Sequence, residues 1–288
     1  MLRPTDITAL LARHPRVIVA ELTRVRGSSP RAQGTFMLVG PDEIAGTIGG
    51  GALEHLVIDR ARQVIRDGLA GGALDIPLGP EIGQCCGGRV KVEMRIIDPA
   101  KADELRARAA ADVAAQPEVF IFGAGHVGHA LARALVLLPL KVSVVDTRAD
   151  ELLGLPEGVA ALNVAMPEAV VRRAPPGSSF VIMTHDHALD FLIGLEALAR
   201  DDSPYVGMIG SHTKMVRFRN WFKAEGGDPQ RLNRLAMPIG AEGLGDKRPE
   251  VIAALAAAEL MVHIGRGDVA TPGARPVTGE KVGADHGH

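Results

Sequence analysis

The architecture of this chain follows from Val119-Phe120-Ile121-Phe122-Gly123-Ala124-Gly125-His126-Val127-Gly128, a short apolar run that ends in three glycines at Gly-x-Gly-x-x-Gly spacing. A buried strand, a glycine turn and a helix over 127–138 are the start of a dinucleotide-binding βαβ unit. The next apolar run, 142–145, ends at Asp146, close to the acidic position about 20 residues beyond the turn that this pattern contains. We therefore predict a Rossmann-like unit.

The glycine turn and the acidic residue predict a nucleotide site. Gly123, Gly125 and Gly128 would bring backbone N–H groups and a helix N-terminus to a phosphate, while Asp146 would accept hydrogen bonds from a ribose diol. Arg148 lies close by and can instead favour a phosphorylated ribose, so the sequence leaves open which dinucleotide is bound. NAD(P) is the candidate ligand of this unit.

Two further groups of polar residues follow later strands, where the ligands of a parallel sheet lie. His185 and Asp186 come after the strand 179–184; they suit proton transfer or metal binding, but Asp186 can equally be a helix N-cap. Ser211 and Lys214 come after the strand 205–209. They can hold a phosphate, or Ser211 is a cap and Lys214 a solvated lysine.

The first hundred residues predict an α+β unit with glycine-rich turns. Gly46-Thr47-Ile48-Gly49-Gly50-Gly51 precedes a helix over 52–66, and glycines ahead of a helix N-terminus favour anion binding at Gly49, Gly50 and Gly51. The alternating pattern of 89–96 predicts a strand.

Both cysteines of the chain lie side by side in Gln84-Cys85-Cys86-Gly87-Gly88. A disulfide between neighbours is unfavourable, because consecutive Cα atoms are about 3.8 Å apart and disulfides prefer roughly 4.4 to 6.8 Å. A structural zinc site would need a second pair of ligands. Two readings remain: buried packing residues, or thiolates that meet a ligand where glycines allow close approach.

Composition excludes several classes of protein. The 288 residues are 47% hydrophobic and 23% charged, which is typical of globular domains. The net charge of −2 gives no excess of positive charge with which to bind nucleic acid or anionic membranes. The sequence has no apolar run of membrane-spanning length and no signal-peptide pattern, so we expect a cytoplasmic protein with reduced thiols. We predict an N-terminal domain over 1–98, a helical connector over 99–116, the Rossmann-like domain over 117–264 and a disordered tail over 265–288.

The ordered motifs together resemble a known family, the xanthine dehydrogenase accessory proteins called XdhC, which are related to the CoxI proteins of carbon monoxide dehydrogenase maturation. The resemblance rests on the following stretches: Gly27-Ser28-Ser29-Pro30-Arg31, 46–54, 83–88, 122–128, Thr184-His185-Asp186, 207–211 with Lys214, and 237–240. It implies a chaperone that binds the molybdenum cofactor, protects it while a cysteine desulfurase installs its sulfido ligand, and delivers it to apo xanthine dehydrogenase.

The resemblance also implies which residues hold the cofactor. Arg31, the Gly49–Gly51 turn and the stretch 84–88 would bind it, and Cys85 or Cys86 would contact molybdenum or shield the sulfido group. We expect a carrier and a homodimer. The alternatives are a NAD(P)-dependent oxidoreductase that uses Gly123 to Asp146 with His185 or Asp186, and a purely protein-binding scaffold.

Overall fold

A computed structural model describes residues 2–79, 87–240 and 245–265 of the chain, which divides into two compact units, Met1–Ala115 and Gln116–His288. The first unit is built on an antiparallel sheet and the second on a parallel one. This confirms the predicted fold class, an α+β unit followed by a Rossmann-like unit. Of the predicted tail, 265–288, the first residue ends the helix Pro249–Gly265, and residues 266–288 lie outside the described residues.

The first unit contains a five-stranded sheet in the order β3-β2-β1-β5-β4, in which every neighbouring pair is antiparallel. Its elements are α1 (Pro4–Arg13), β1 (Ile18–Arg26), β2 (Phe36–Val39), β3 (Ile44–Gly46), α2 (Gly51–Arg66), β4 (Gly71–Leu78), β5 (Gly88–Ile96) and α3 (Pro99–Ala114).

Helices cover both faces of this sheet. The apolar stripe of α2, which includes Leu53, Val57 and Val64, packs on one face. On the other face, Leu105 and Ala109 of α3 pack with α1 and the sheet. The stretch that we expected to be a helical connector is a helix, and its apolar side is buried inside the first unit.

The second unit contains a six-stranded parallel sheet in the order β11-β10-β9-β6-β7-β8. This is the strand order of a Rossmann fold. Successive strands are added on one side of β6 up to β8 and on its other side from β9 onward, so the switch point lies between β6 and β9. The elements are β6 (Glu118–Phe122), α4 (His126–Leu135), β7 (Lys141–Asp146), β8 (Val159–Asn163), α5 (Pro167–Arg173), β9 (Ser179–Ile182), α6 (His187–Ala199), β10 (Val206–Met208), α7 (His212–Ala224), β11 (Leu235–Ala236) and α8 (Pro249–Gly265).

The strands β6 and β9 are buried on both faces, as their unbroken apolar runs predict. Helices α4 and α8 pack with residues such as Ile121 on one face, whereas α6 and α7 pack with residues such as Phe180 on the other. Among the helices of the described ranges, none combines the length and the apolar character that crossing a bilayer requires.

Candidate functional site

The glycine-rich motifs of the first unit meet around the loop Gly27–Arg31, which follows β1. An ideal Cβ placed on Gly49 would lie 2.6 Å from Cγ of Pro30 and 3.7 Å from Cγ of Arg31, and the φ of Gly49 is +135°. Only glycine combines this backbone conformation with so close an approach. The contact places Gly49 and its neighbours beside the exposed Arg31.

The same loop touches the end of the cysteine motif. A Cβ on Gly88 would lie 2.0 Å from the carbonyl oxygen of Ser28, and Gly87 forms a β-bridge with Ser28. The N–H of Gly87 also donates to the carbonyl of Leu78 at 2.8 Å. Gln84, Cys85 and Cys86 lie outside the described residues. Of the predicted cofactor residues in this unit, the structure brings Arg31, Gly49–Gly51, Gly87 and Gly88 to one cluster, called below the glycine-motif cluster.

A carboxylate of the chain itself occupies the turn ahead of α2. Oε2 of Glu54 accepts hydrogen bonds from the hydroxyl of Thr47 at 2.5 Å, the N–H of Ile48 at 3.1 Å and the N–H of Gly50 at 3.2 Å. The N–H of Gly49 donates to the Thr47 hydroxyl at 3.1 Å. The N–H groups of Gly49 and Gly50, which we expected to bind an external anion, therefore already have acceptors.

These hydrogen bonds determine the charge state of Glu54. Its partial burial alone would raise the pKa of the carboxyl, but the donors Thr47, Ile48 and Gly50 outweigh burial and hold the pKa below its ordinary value. Glu54 is thus an anion that orders the turn at neutral pH.

In the second unit, the glycine turn lies against the end of β9, where the strand order reverses. A Cβ on Gly123 would lie 2.4 Å from the carbonyl oxygen of Met183 and 2.9 Å from the nitrogen of Thr184, and a Cβ on Gly128 would lie 2.0 Å from the carbonyl oxygen of Gly123. Both glycines are thus required by close backbone packing. A Cβ on Gly125 would meet no atom within 4 Å, so this glycine alone of the three faces open space.

Asp146 is engaged by the protein. Its Oδ2 accepts from the N–H of Ala124 at 2.8 Å, and its two oxygens also accept from the N–H and guanidinium of Arg148 at 3.0 to 3.1 Å. Arg148 contacts Glu151 as well, at 3.1 Å. Asp146 is only 4% exposed. A ribose diol would have to displace Arg148 from this carboxylate.

The electrostatics of Asp146 match that arrangement. Burial would raise the pKa of its carboxyl, but the hydrogen bonds from Arg148 and Ala124 outweigh burial and lower the pKa below its ordinary value. The same pairing raises the pKa of the Arg148 guanidinium. Asp146 thus forms an ion pair with Arg148, and its hydrogen bond from Ala124 fixes the glycine turn to the end of β7.

The residues after β9 form a helix start. Oδ1 of Asp186 accepts the N–H of Ala188 at 2.8 Å, which makes Asp186 the N-cap of α6, and the Thr184 hydroxyl donates to the Asp186 carbonyl at 2.8 Å. The side chain of His185 is exposed. Cap geometry thus accounts for the position of Asp186.

Lys214 is buried and paired. Its ammonium donates to Oδ2 of Asp190 and to the carbonyl of Ile209 at 2.9 Å; the lysine is 7% exposed and the aspartate 0%. Ser211 is the N-cap of α7 and accepts the N–H of Lys214 at 3.3 Å. The lysine that we predicted to bind phosphate or to be solvated instead joins α7 to α6 and to Ile209, the residue that follows β10.

Sequence reasoning missed two carboxylates that organise these sites. Glu54 lies one turn into α2, and Asp190 lies four residues after its cap, where it also accepts the hydroxyl of Thr184 at 2.7 Å. The signal available for each was an acidic residue in the first turn of a helix that follows a polar loop. The partners of Glu54 lie within the preceding seven residues, whereas Asp190 also pairs with Lys214 of a different helix.

The described residues do not form a metal-binding cluster. Across 2–79, 87–240 and 245–265, no three His, Cys, Asp or Glu side chains are grouped as metal ligands. The predicted molybdenum contacts, Cys85 and Cys86, lie in the gap between these ranges, and thiolate is a soft donor that suits such a metal.

Comparisons with known proteins agree with this architecture. Residues 119–260 match the model of the XdhC Rossmann domain, and residues 10–75 match that of the XdhC and CoxI family. Uncharacterized protein YqeB of Escherichia coli K12 is 24% identical over 250 residues, which are 84% of this chain. The chain spans 42% of the length of YqeB.

A solved structure shares the fold. A crystal structure described as a xanthine dehydrogenase from Bacillus halodurans superposes with a TM-score of 0.75 at 19% identity, covering 92% of this chain and 96% of that one. The two family models match both units of the chain, in the order that the motifs predict. The chain belongs to the XdhC and CoxI family.

Proposed function

We propose that this protein is a molybdenum cofactor chaperone, which protects the cofactor while it receives its sulfido ligand and inserts it into apo xanthine dehydrogenase. The observation that carries the proposal is the glycine-motif cluster. The turn at Gly49 packs against Pro30, and the end of the cysteine motif at Gly87 and Gly88 packs against Gly27 and Ser28, so that two separate parts of the first unit both lie against the loop 27–31.

The chemistry of this cluster fits a carrier. Cys85 and Cys86, directly ahead of Gly87 in the sequence, offer soft sulfur donors to molybdenum, and Arg31 offers an exposed cation to an anionic group. A carrier must also release its cargo. We expect an affinity on the order of micromolar, about −8 kcal/mol, because much tighter ligation would prevent delivery.

The second unit supports the carrier more than the oxidoreductase. The ribose-binding role requires free carboxylate oxygens, and those of Asp146 accept hydrogen bonds from Ala124 and Arg148. His185 and Asp186 are exposed at a helix start, with the Asp186 carboxylate used as its cap. NAD(P) stays the alternative ligand, and Gly125 is the position of the turn open to it.

A chaperone of this kind needs two protein partners. Apo xanthine dehydrogenase would collect the cofactor, and a cysteine desulfurase would supply sulfur while the cofactor is bound. We further propose that the chain acts as a homodimer in the cytoplasm, where thiols stay reduced.

The test is a competition between cargoes. Purified protein is incubated anaerobically with molybdenum cofactor or with NAD(P)H, passed over a desalting column, and assayed for pterin, molybdenum and nucleotide. We expect pterin and molybdenum to co-elute, and the loaded protein to restore activity to apo xanthine dehydrogenase. Retention of nucleotide without pterin would overturn the proposal in favour of the oxidoreductase.

A further inference from the structure

One surface of the first unit carries an unusual concentration of positive charge. Arg24 and Arg26 of β1 and Arg89 and Lys91 of β5 line one small pocket, together with Asp75 and Val90. All four basic residues are exposed. This set of four residues is called the cationic strip below.

Strand register explains why the four side chains share a face. Arg24 lies directly opposite Lys91 and Arg26 directly opposite Arg89, and residues that lie opposite one another in antiparallel strands project from the same side of the sheet. Like charges in directly opposite positions destabilise a sheet. The strip therefore costs stability, which a role in binding would explain.

A β-bulge places the arginines there. The register shifts between Leu22 and Arg24, so that one extra residue, Thr23, is inserted in β1. In a regular strand, residues 22, 24 and 26 would share one face, so without the bulge Arg24 and Arg26 would project to the face on which Leu22 is buried. Bulges commonly re-aim side chains next to functional sites.

The acids nearby do not neutralise the strip. Arg89 donates to Asp75 at 2.7 Å and Lys91 donates to Glu93 at 2.9 Å. Within the described parts of the chain, neither a hydrogen bond nor an ion pair engages the guanidinium of Arg24 or of Arg26. The hydrogen bond from Arg89 lowers the pKa of the Asp75 carboxyl, and Arg24 adds to this lowering only through its charge. Four cations thus face two carboxylates, and two guanidinium groups stay available to a ligand.

The pocket has the size of an anionic group. Its volume is about 60 Å³, whereas a single water needs about 10–15 Å³ by a comparable measure, so a group of several heavy atoms such as phosphate fits. A second cleft, of about 290 Å³, is lined by polar residues that include Thr23, which precedes Arg24, and Glu93, which accepts a hydrogen bond from Lys91. Such a cleft can accept a polar ring attached to the phosphate.

At the sites where the sequence predicted phosphate binding, the hydrogen-bond donors are already bound to carboxylates of the chain itself. The N–H of Gly50 donates to Glu54, the N–H of Ala124 donates to Asp146, and the ammonium of Lys214 is buried against Asp190. The strip, by contrast, ends at Arg26 and Arg89, the residues next to Gly27 and Gly88 of the glycine-motif cluster.

From these observations we infer that the cationic strip is a phosphate-binding site, formed by Arg24 and Arg26 with Arg89 and Lys91, which takes the phosphate end of the pterin cargo. The inference rests on the proposed function for the identity of that cargo. Arginine pairs with phosphate in a bidentate manner, which suits a site of this composition.

The test compares two double variants with equal change of charge. R24Q/R26Q removes the unpaired cations of the strip, and R60Q/R66Q removes two arginines from α2 as the matched control. Each protein is titrated with sodium pyrophosphate by calorimetry, and with molybdenum cofactor and its dephosphorylated pterin by fluorescence. Thermal unfolding checks the fold; loss of like-charge repulsion should leave the Tm of R24Q/R26Q unchanged or raised.

We expect R24Q/R26Q to bind pyrophosphate and phosphorylated cofactor at least tenfold more weakly than wild type and R60Q/R66Q, with unchanged binding of the dephosphorylated pterin. Equal affinities in R24Q/R26Q and R60Q/R66Q would overturn the inference, even where the wild-type protein retains cofactor and the proposed function stands. Strip-dependent binding of pyrophosphate without retention of cofactor would support the phosphate site and overturn the chaperone. Absence of binding in every arm would overturn both.

Discussion

Gly88 and Ser28 lie so close that a Cβ on Gly88 would stand 2.0 Å from the Ser28 carbonyl oxygen. The Ser28 oxygen belongs to the main chain and a Cβ is fixed directly to the Gly88 backbone, so neither atom can move aside as the end of a flexible side chain would. This contact holds the start of β5 to the loop after β1, and it joins the cysteine motif to the glycine-motif cluster.

G88A should therefore disrupt the cluster. We expect a loss of about 3 kcal/mol in local stability, because overpacking against backbone forces a shift of the chain. Hydrogen exchange of the β1 and β5 amides, followed by mass spectrometry, measures this loss. The control is G72A in β4, whose Cβ would meet only side chains at 3.6 and 3.7 Å. Equal exchange rates in G88A and G72A would contradict the packing argument.

The buried ion pair of Lys214 and Asp190 should dominate the stability of the second unit. K214M leaves the Asp190 carboxylate uncompensated at 0% exposure, and removing one partner of such a pair costs about 3–5 kcal/mol. Urea unfolding followed by the fluorescence of Trp221, on the same helix as Lys214, reports the loss.

The control for this pair is R172M, which breaks the partly exposed Arg172–Glu196 pair in the same unit. Exposed pairs contribute about 0–1 kcal/mol, so R172M should unfold close to wild type. In addition, D190N/K214M should lose less than the sum of the two single variants, because both act on one interaction. Strict additivity would show that the pair is not coupled.

Asp202 should give the second unit a distinct acid dependence. Arg200 donates to both of its carboxylate oxygens, at 2.9 and 2.7 Å, and lowers the pKa of Asp202 to about 2. Because the folded pKa lies below the unfolded value, the stabilisation is present above about pH 4 and is lost as pH falls toward 2. The carboxylate is 40% exposed, so solvent screening limits the contribution to about 1 kcal/mol.

The variant D202N lacks this titration. The difference in unfolding free energy between wild type and D202N should be constant from pH 7 to 5 and shrink as pH falls from 4 to 2. A difference that does not change over the acid range would mean that the Arg200 pair does not set this dependence.

Glu54 should control the order of the turn at Gly49–Gly51. E54A leaves the N–H groups of Ile48 and Gly50 without their acceptor, and unsatisfied donors in a partly buried turn cost about 1–3 kcal/mol. Hydrogen exchange at 47–51 should accelerate in E54A and much less in E54Q, whose amide oxygen still accepts. Wild-type exchange in E54A would show that Glu54 does not hold the turn.

Local patterns were sufficient to predict the Rossmann-like unit, because the strand, glycine turn, helix and acid-ended strand all lie within 119–146. The structure confirms this unit as part of a parallel sheet. Strand β4 was not predicted, because it contains Gly71, Gly72 and Pro77, and glycine and proline are uncommon in strands. It forms at the edge of the sheet, where proline is tolerated.

The pairing of the polar groups was not predictable from local sequence. Lys214 follows a strand end, a position that suggests a site mouth, but its surroundings depend on Asp190, which lies on a different helix. Likewise, the cationic strip depends on a bulge and on the register between β1 and β5, which join residues far apart in the sequence. Such contacts are fixed by tertiary packing.

The most direct test of the carrier is anaerobic retention of molybdenum cofactor by wild type and by C85A/C86A, with molybdenum and pterin quantified in the protein peak. The account predicts that wild type retains both in a fixed ratio to protein, and that C85A/C86A, folded as judged by circular dichroism, loses most of both. Equal retention by the two proteins, or none by wild type, would contradict it.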